Sequence, residues 1–130
     1  MRAETVINTL LNASGSLAAL VSTRIYLDTR PEADPLPAVV YELISDRQDN
    51  SYKGEKERCT ARMQVNCMDV TAEGAVAVRE AARVACHNQT GTIGGITVVG
   101  CLQDGAGADS YDQLVNIYVK PLDIVIHYLR

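Results

Sequence analysis

The residues with the widest chemical range in this chain are two histidines, His87 and His127, and four cysteines, Cys59, Cys67, Cys86 and Cys101. A thiol beside an imidazole can act as nucleophile and base. Cys86 and His87 are sequence neighbours, however, and adjacent residues on a helix point in different directions. Asp123 and His127 stand four apart on one face of a strand pattern, and an Asp–His pair can orient a nucleophile. No serine or cysteine is placed by sequence to complete that pair. Structural zinc takes four ligands with paired spacing, and no Cys-x-x-Cys pair occurs. The plainer reading puts His87 at a helix C-terminus, where an imidazole complements the helix dipole, and His127 at a surface or interface.

The glycines point the same way. Gly91, Gly94, Gly95, Gly105 and Gly107 match neither the dinucleotide fingerprint nor the phosphate-binding loop. Gly94-Gly95 precedes a strand, so it lacks the helix N-terminus that holds phosphate; these are turns. Arg58, Arg62 and Glu42 share the polar face of a strand pair, where ion pairs are worth about 0–1 kcal/mol each, or where they meet a neighbouring subunit. No catalytic, cofactor-binding or metal-binding residue is expected, and the chain reads as an assembly protein, not an enzyme.

The totals agree with a protein that works by surface. The 130 residues fit one domain, 1–130, large enough to bury a core without disulfides or metals. There are six tyrosines but no phenylalanine or tryptophan. The core must therefore use Val, Ile, Leu, Met, Cys and Ala, and there is no aromatic platform for stacking bases. The net charge is −4 and the 12 Lys and Arg are scattered, which argues against binding through phosphate neutralisation. A pore that DNA merely passes through remains compatible. The cysteines fall in apolar segments and are expected to be reduced core thiols. Met-Arg-Ala-Glu-Thr at the start is no signal peptide, and no apolar run approaches a membrane span. The protein is expected to fold in a cytoplasm, with no membrane partner.

The elements that position these residues follow from periodicity. Val6, Ile7, Leu10 and Leu11 make one face of a helix over Glu4–Asn12. Ser14 or Ser16 can cap a second helix carrying Leu17, Leu20 and Val21. Thr23–Leu27 is short and extended, and Asp28–Pro35 is an irregular loop shaped by Pro31 and Pro35. Ala38–Ser45 is apolar on both faces, so it is expected to be internal or covered on both sides. A polar arm, 46–57, joins it to a second strand, Arg58–Val70. There Cys59, Ala61, Met63, Val65 and Cys67 alternate with Arg58, Thr60, Arg62, Gln64 and Asn66. Asp69 or Thr71 caps an alanine-rich helix to His87, with a stripe of Ala75, Val78, Ala82 and Ala85. Ile96–Gln103 and Leu114–Tyr128 are the last strands. The apolar phase of the final strand changes at Lys120-Pro121, which predicts a β-bulge or bend there. The resulting fold class is α+β: a largely antiparallel four-stranded sheet with helices packed on one face, in the order broken helix, strand, strand, helix, strand, strand.

Three stretches carry a family resemblance. They are Leu20-Val21 with Arg24-Ile25-Tyr26; Leu36-Pro37-Ala38-Val39-Val40-Tyr41-Glu42 with Ile44-Ser45; and Arg62-Met63-Gln64-Val65-Asn66-Cys67. With the alanine-rich helix from Thr71 and the late strand Leu122-Asp123-Ile124-Val125-Ile126-His127-Tyr128, the chain resembles the tail-completion family of tailed bacteriophages. That family includes tail terminators and tail-to-head joining proteins. Cysteines at 59, 67 and 101 depart from the more usual aliphatic residues, and Pro121 interrupts the last strand. The resemblance implies a structural virion protein at the tail–neck junction, assembled in the host cytoplasm. It implies a subunit of a ring, typically hexameric, that caps the tail tube, ends its polymerisation and joins the tail to the head connector. The implied partners are further copies of itself, the tail tube protein and the head–tail connector protein, with DNA as a passing occupant of the channel. The alternatives are another connector component, a stopper or adaptor, and a small α+β enzyme.

Two residue groups follow as candidates. A closed ring joins one patch to a different patch on the neighbour. The arm and adjoining strand supply Gln48, Asp49, Tyr52, Lys53, Glu55, Lys56, Arg58 and Arg62 as the subunit interface. An acidic lumen lets DNA slide, so Asp104, Asp109 and Asp112 are candidates for the channel or its rim, with the Asp28–Asp34 loop as the other choice.

Overall fold

A computed structural model of the chain describes residues 3–29, 36–49, 58–105, 110–113 and 116–129. Tyr52, Lys53, Glu55, Lys56 and Asp109 fall outside them. The elements in order are α1 (Ala3–Ala13), α2 (Gly15–Val21), β1 (Ile25–Leu27), β2 (Ala38–Asp49), β3 (Arg58–Asp69), α3 (Ala72–Cys86), β4 (Gly91–Ile93), β5 (Ile96–Gln103), β6 (Ser110–Asp112) and β7 (Ile117–Leu129).

The helices form where their apolar stripes and caps dictate. Ala3, Val6, Ile7 and Leu11 bury one face of α1. Ser14 leaves the helix for extended backbone and its Oγ accepts the Leu17 N–H at 3.2 Å, so the chain restarts as α2. Thr71 does the same for α3, accepting from Gly74 N at 3.1 Å. Ala75, Val78, Ala82 and Cys86 are the buried stripe of α3. These small side chains let the helix lie close on β3, whose buried residues include Cys59, Ala61 and Cys67.

Among the described residues the sheet has seven strands, not four. Six lie in the order β1-β2-β3-β7-β5-β4, and β6 pairs with β7 off that path. The expected four are its long central strands, β2, β3, β7 and β5, antiparallel to one another. The additions, β1, β4 and β6, have three residues each, too few for alternation to register in sequence. β1 runs parallel to β2; β4 turns the expected Gly91–Gly95 loop into a hairpin arm on β5; β6 lies inside the expected Asp104–Asp112 loop.

Two strand details also differ from expectation. β2 continues to Asp49, beyond Ser45, so the polar residues Asp46–Asp49 belong to the ladder with β3. A register shift between Leu43 and Ser45 turns Asp46 and Gln48 toward the Ala61 and Cys59 side. Asp46 is tolerated there because the buried Tyr128 hydroxyl needs an acceptor; it donates to Asp46 Oδ2 at 2.5 Å. Covering on both sides holds only for the first half of β2: Val39, Val40 and Tyr41 are buried, whereas Leu43 and Ile44 are exposed. The expected bulge at Lys120-Pro121 does not occur. β7 pairs with β3 without a register shift from Tyr118 to Leu129, Pro121 lying opposite Asn66. The backbone N–H and C=O of Asp123 both turn toward Gly105 and Asp104. Pro121 has the same parity, so its missing donor falls where β7 has left β6 and not yet met β5. The ladder loses nothing.

The core lies between the helices and one face of the sheet, lined by β3, by Leu122, Ile124, Ile126 and Tyr128 of β7, and by α1 and α3. All four cysteines are free and buried, as expected. Burial pushes the Cys67 and Cys101 thiols up to about 12 from 9.0, and pushes Cys86 up further.

Two outcomes follow. The unfolded chain sheds thiol protons near pH 9 while the folded chain holds them, so this stabilisation is complete below pH 9 and is lost as pH rises toward about 12. Tm should fall progressively above pH 9, and an aromatic disulfide reagent should find no fast thiol in native protein but four in denaturant. The β4–β5 turn gives the second. Gly94 has φ +59, and a Cβ there would lie 2.8 Å from Thr9 Oγ1 and 2.9 Å from Thr5 Cγ2 of α1, whereas Gly95, φ +80, faces open space. Gly95→Ala should cost about 1 kcal/mol in denaturant unfolding, and Gly94→Ala about 2–3 kcal/mol, because it adds displacement of α1 to the same backbone strain.

Candidate functional site

The helices cover one face of the sheet. On the other, Glu42, Ser45 and Arg47 of β2, the alternate residues of β3 and β5, and those of β7 from Asp123 on stay half-buried or exposed, whereas Ala38, Val40 and Pro121 are buried. Strand alternation places Arg47, Thr60, Arg62, Asp123, Val125 and His127 there. An open groove of about 650 Å³ lies on this face, bounded by Ser45 and Arg47 on one side and by Leu102 and Asp104 on the other.

Arg62 is the centre of its electrostatics. It stands opposite Val125 on β7, which makes Asp123 its diagonal neighbour. Its guanidinium bonds Asp104 and lies 3.7 Å from the Asp123 carboxylate. Asp104 is held in place by its own backbone, which donates to the Asp123 carbonyl at 2.9 Å, while Asp123 N donates to Gly105 O at 3.2 Å. One arginine thus ties the exit of β5 to the centre of the sheet. Half-exposed ion pairs of this kind contribute little to stability, about 0–1 kcal/mol, so the geometry matters more than the energy. Higher on the same face, Thr60 Oγ1 and His127 Nδ1 are 3.2 Å apart, across directly opposed positions.

The chemistry considered from sequence does not assemble. Asp123 and His127 are four residues apart on a strand, about 13 Å, and each has another partner. His87 caps α3, but its Nδ1 turns to β5 and accepts the Gln103 N–H at 3.2 Å. Cys86 beside it is buried with its thiol pushed up by burial, the reverse of an activated nucleophile. Among the described residues no group of His, Cys, Asp and Glu could hold a metal ion.

The candidate assembly residues are distributed as follows. Gln48 and Asp49 end β2, and Arg58 opens β3 directly opposite Asp49. Arg62 and Asp104, expected in separate roles, are bonded to each other on the open face. Asp112 lies in β6 opposite Ile117. The partnership of Arg62 with Asp104 and Asp123 was not predicted: alternation places 62 and 123 on polar faces, but cross-strand register is not written in either strand. The edge role of His87 had no sequence signal either.

A family model described as "Tail completion protein gp17" matches residues 5–119. Among solved structures, a chain from "Virion of native gene transfer agent (GTA) particle" matches with a TM-score of 0.73 at 17% identity, covering 96% of this chain and 92% of the other. That likeness shows a shared fold over nearly the whole length. No curated protein matches the sequence. With an α+β fold, a polar sheet face and a family match over most of its length, the chain belongs to the tail completion protein gp17 family and is a structural protein associated with the phage tail.

Proposed function

We propose that this chain is a ring subunit that caps the finished tail tube, stops its polymerisation and joins the tail to the head connector. The family match carries the reading, and the likeness to a chain of a gene transfer agent virion supports it. The physical features fit. A subunit of this kind needs a rigid core and free polar surface. Here β2 and β3 extend as one hairpin to Asp49 and Arg58, and among the described residues no helix covers the polar sheet face beside it.

In this reading Gln48, Asp49 and Arg58, with Tyr52, Lys53, Glu55 and Lys56 of the connecting arm, form the subunit interface. Arg62 and Asp104 are bonded, so the interface and the channel surface meet on the open face; Asp109 and Asp112 continue the acidic rim. DNA passes that surface without a basic patch to hold it, in keeping with the net charge of −4. The partners are further copies of the chain in a ring, the tail tube protein and the head–tail connector protein, at the tail–neck junction.

The test replaces residues 50–57 with an Asn-Gly turn between the opposed Asp49 and Arg58. The variant should keep the native circular dichroism spectrum and thermal transition. It should fail to form rings by light scattering and fail to cap isolated tail tubes. Rings that form and cap normally would return the arm to a solvated loop. Binding of the intact protein to connector complexes, with none to tube ends, would favour a stopper or adaptor instead.

A further inference from the structure

The two sides of the sheet are finished differently. On the β5 side, β4 pairs with Ile96–Val98 and leaves only its own three-residue outer edge, and the rest of the β5 edge is closed by the turn after α3: Asn88 N donates to the Cys101 carbonyl at 2.7 Å, and His87 Nδ1 accepts from Gln103 N at 3.2 Å. A covered edge cannot template another strand. On the β2 side, β1 covers only Val39–Tyr41. The last bonds on that side are Val39 N to Arg24 O and Asp28 N to Tyr41 O. Leu43 has the same parity, so its N–H and C=O face the same way, and no strand meets them among the described residues. Leu43 is 36% exposed and Ile44 51%. A second bare edge exists at β6, whose near side pairs with β7 and whose far side meets no strand among the described residues. Tyr111 at its middle is 42% exposed.

These two edges fit each other. β2 is antiparallel to β3, β3 to β7 and β7 to β6. A β6 laid beside the next copy's β2 therefore runs antiparallel to it and continues the alternation. The heights fit as well. Leu43 is level with Met63 and so with Ile124 of β7, while Tyr111 is level with Tyr118. Joining Tyr111 to Leu43 offsets neighbouring copies by six residues of β7, about 20 Å, over four strand spacings, about 19 Å. That corresponds to a strand tilt of about 45°, close to the 35–45° or so that closing a sheet on itself requires. The offset also places the incoming β6 just beyond the end of β1, so the two share one column without overlapping.

We propose that β6 of one copy adds as an antiparallel strand to the bare edge of β2 in the next, with Tyr111 against Leu43 and Ile44, and that this joint closes the ring. The inference rests on the ring reading and names its contact. It is a heterologous contact, different patches on the two sides, as a closed ring demands. The helices then lie on one wall of the cylinder and the Arg62–Asp104 face on the other.

The test uses the full chain with Leu43→Cys and Tyr111→Cys together, with each single variant as control and circular dichroism confirming the fold. Mild oxidation of assembled double variant should give a ladder of covalent oligomers, and the single variants none. In the wild-type protein, the Leu43 amide should exchange with solvent at least tenfold more slowly in the assembled form than in the monomer. Rings that form with no ladder and unchanged Leu43 exchange overturn the joint and leave the ring reading intact. A wild-type chain that stays monomeric even on tail tubes overturns both.

Discussion

The fold depends on β3. It is paired along its length on both sides, by β2 and by β7, and one of its faces is the floor of the core. Cys59, Ala61, Met63, Val65 and Cys67 are each at most 2% exposed. A strand held on both edges and buried on one face cannot slip by one residue without turning that whole row to solvent. Everything else takes its position from this register. Tyr128, Ile126, Ile124 and Leu122 stand opposite Cys59, Ala61, Met63 and Val65, and α3 lies across them. The absence of Phe and Trp is met by close approach: alanines and a cysteine on the helix rest on alanine and cysteines in the sheet.

The same constraint produces the open face. Residues that alternate with a buried row must lie on the opposite side, and the chain has no further helix there among the described residues. Arg62, Thr60, Asp123 and His127 are there because of parity, and they satisfy one another across strands. The resulting surface is polar, nearly balanced in charge and locally rigid. Such a surface suits contact with other proteins better than chemistry, because no described group on it is buried, activated and aimed at a shared point.

Edge management completes the picture. Unpaired strand edges invite other strands, and this sheet closes one side with the residues that end α3 while leaving β2 bare above β1. The bulge at Leu43/Ser45 lies at the start of that bare stretch, where it brings Asp46 to Tyr128 and exposes Ile44.

Much of this was legible from residues alone. Periodicity located both N-terminal helices, the alanine-rich helix and the four long strands, and residue type narrowed their caps to Ser14 or Ser16 and to Asp69 or Thr71, of which Ser14 and Thr71 serve. The strict alternation of Arg58–Cys67 identified the core row. The lack of converging nucleophile, base and metal ligands pointed away from catalysis, and the run of motifs pointed to the tail-completion family. Of the three-residue strands, β1 was legible only as the short extended segment Thr23–Leu27, and β4 and β6 were not, because three residues carry no pattern of their own. The Pro121 phase change was misread as a bulge. Its cause is a change in what flanks the strand, which sequence does not record. Local propensity and periodicity are properties of the chain by itself, and they determined the long elements and the core row, while the run of motifs carried the family resemblance. Register, edge closure and the Arg62–Asp104–Asp123 group arise from pairing between segments up to tens of residues apart, so only the tertiary structure decided them.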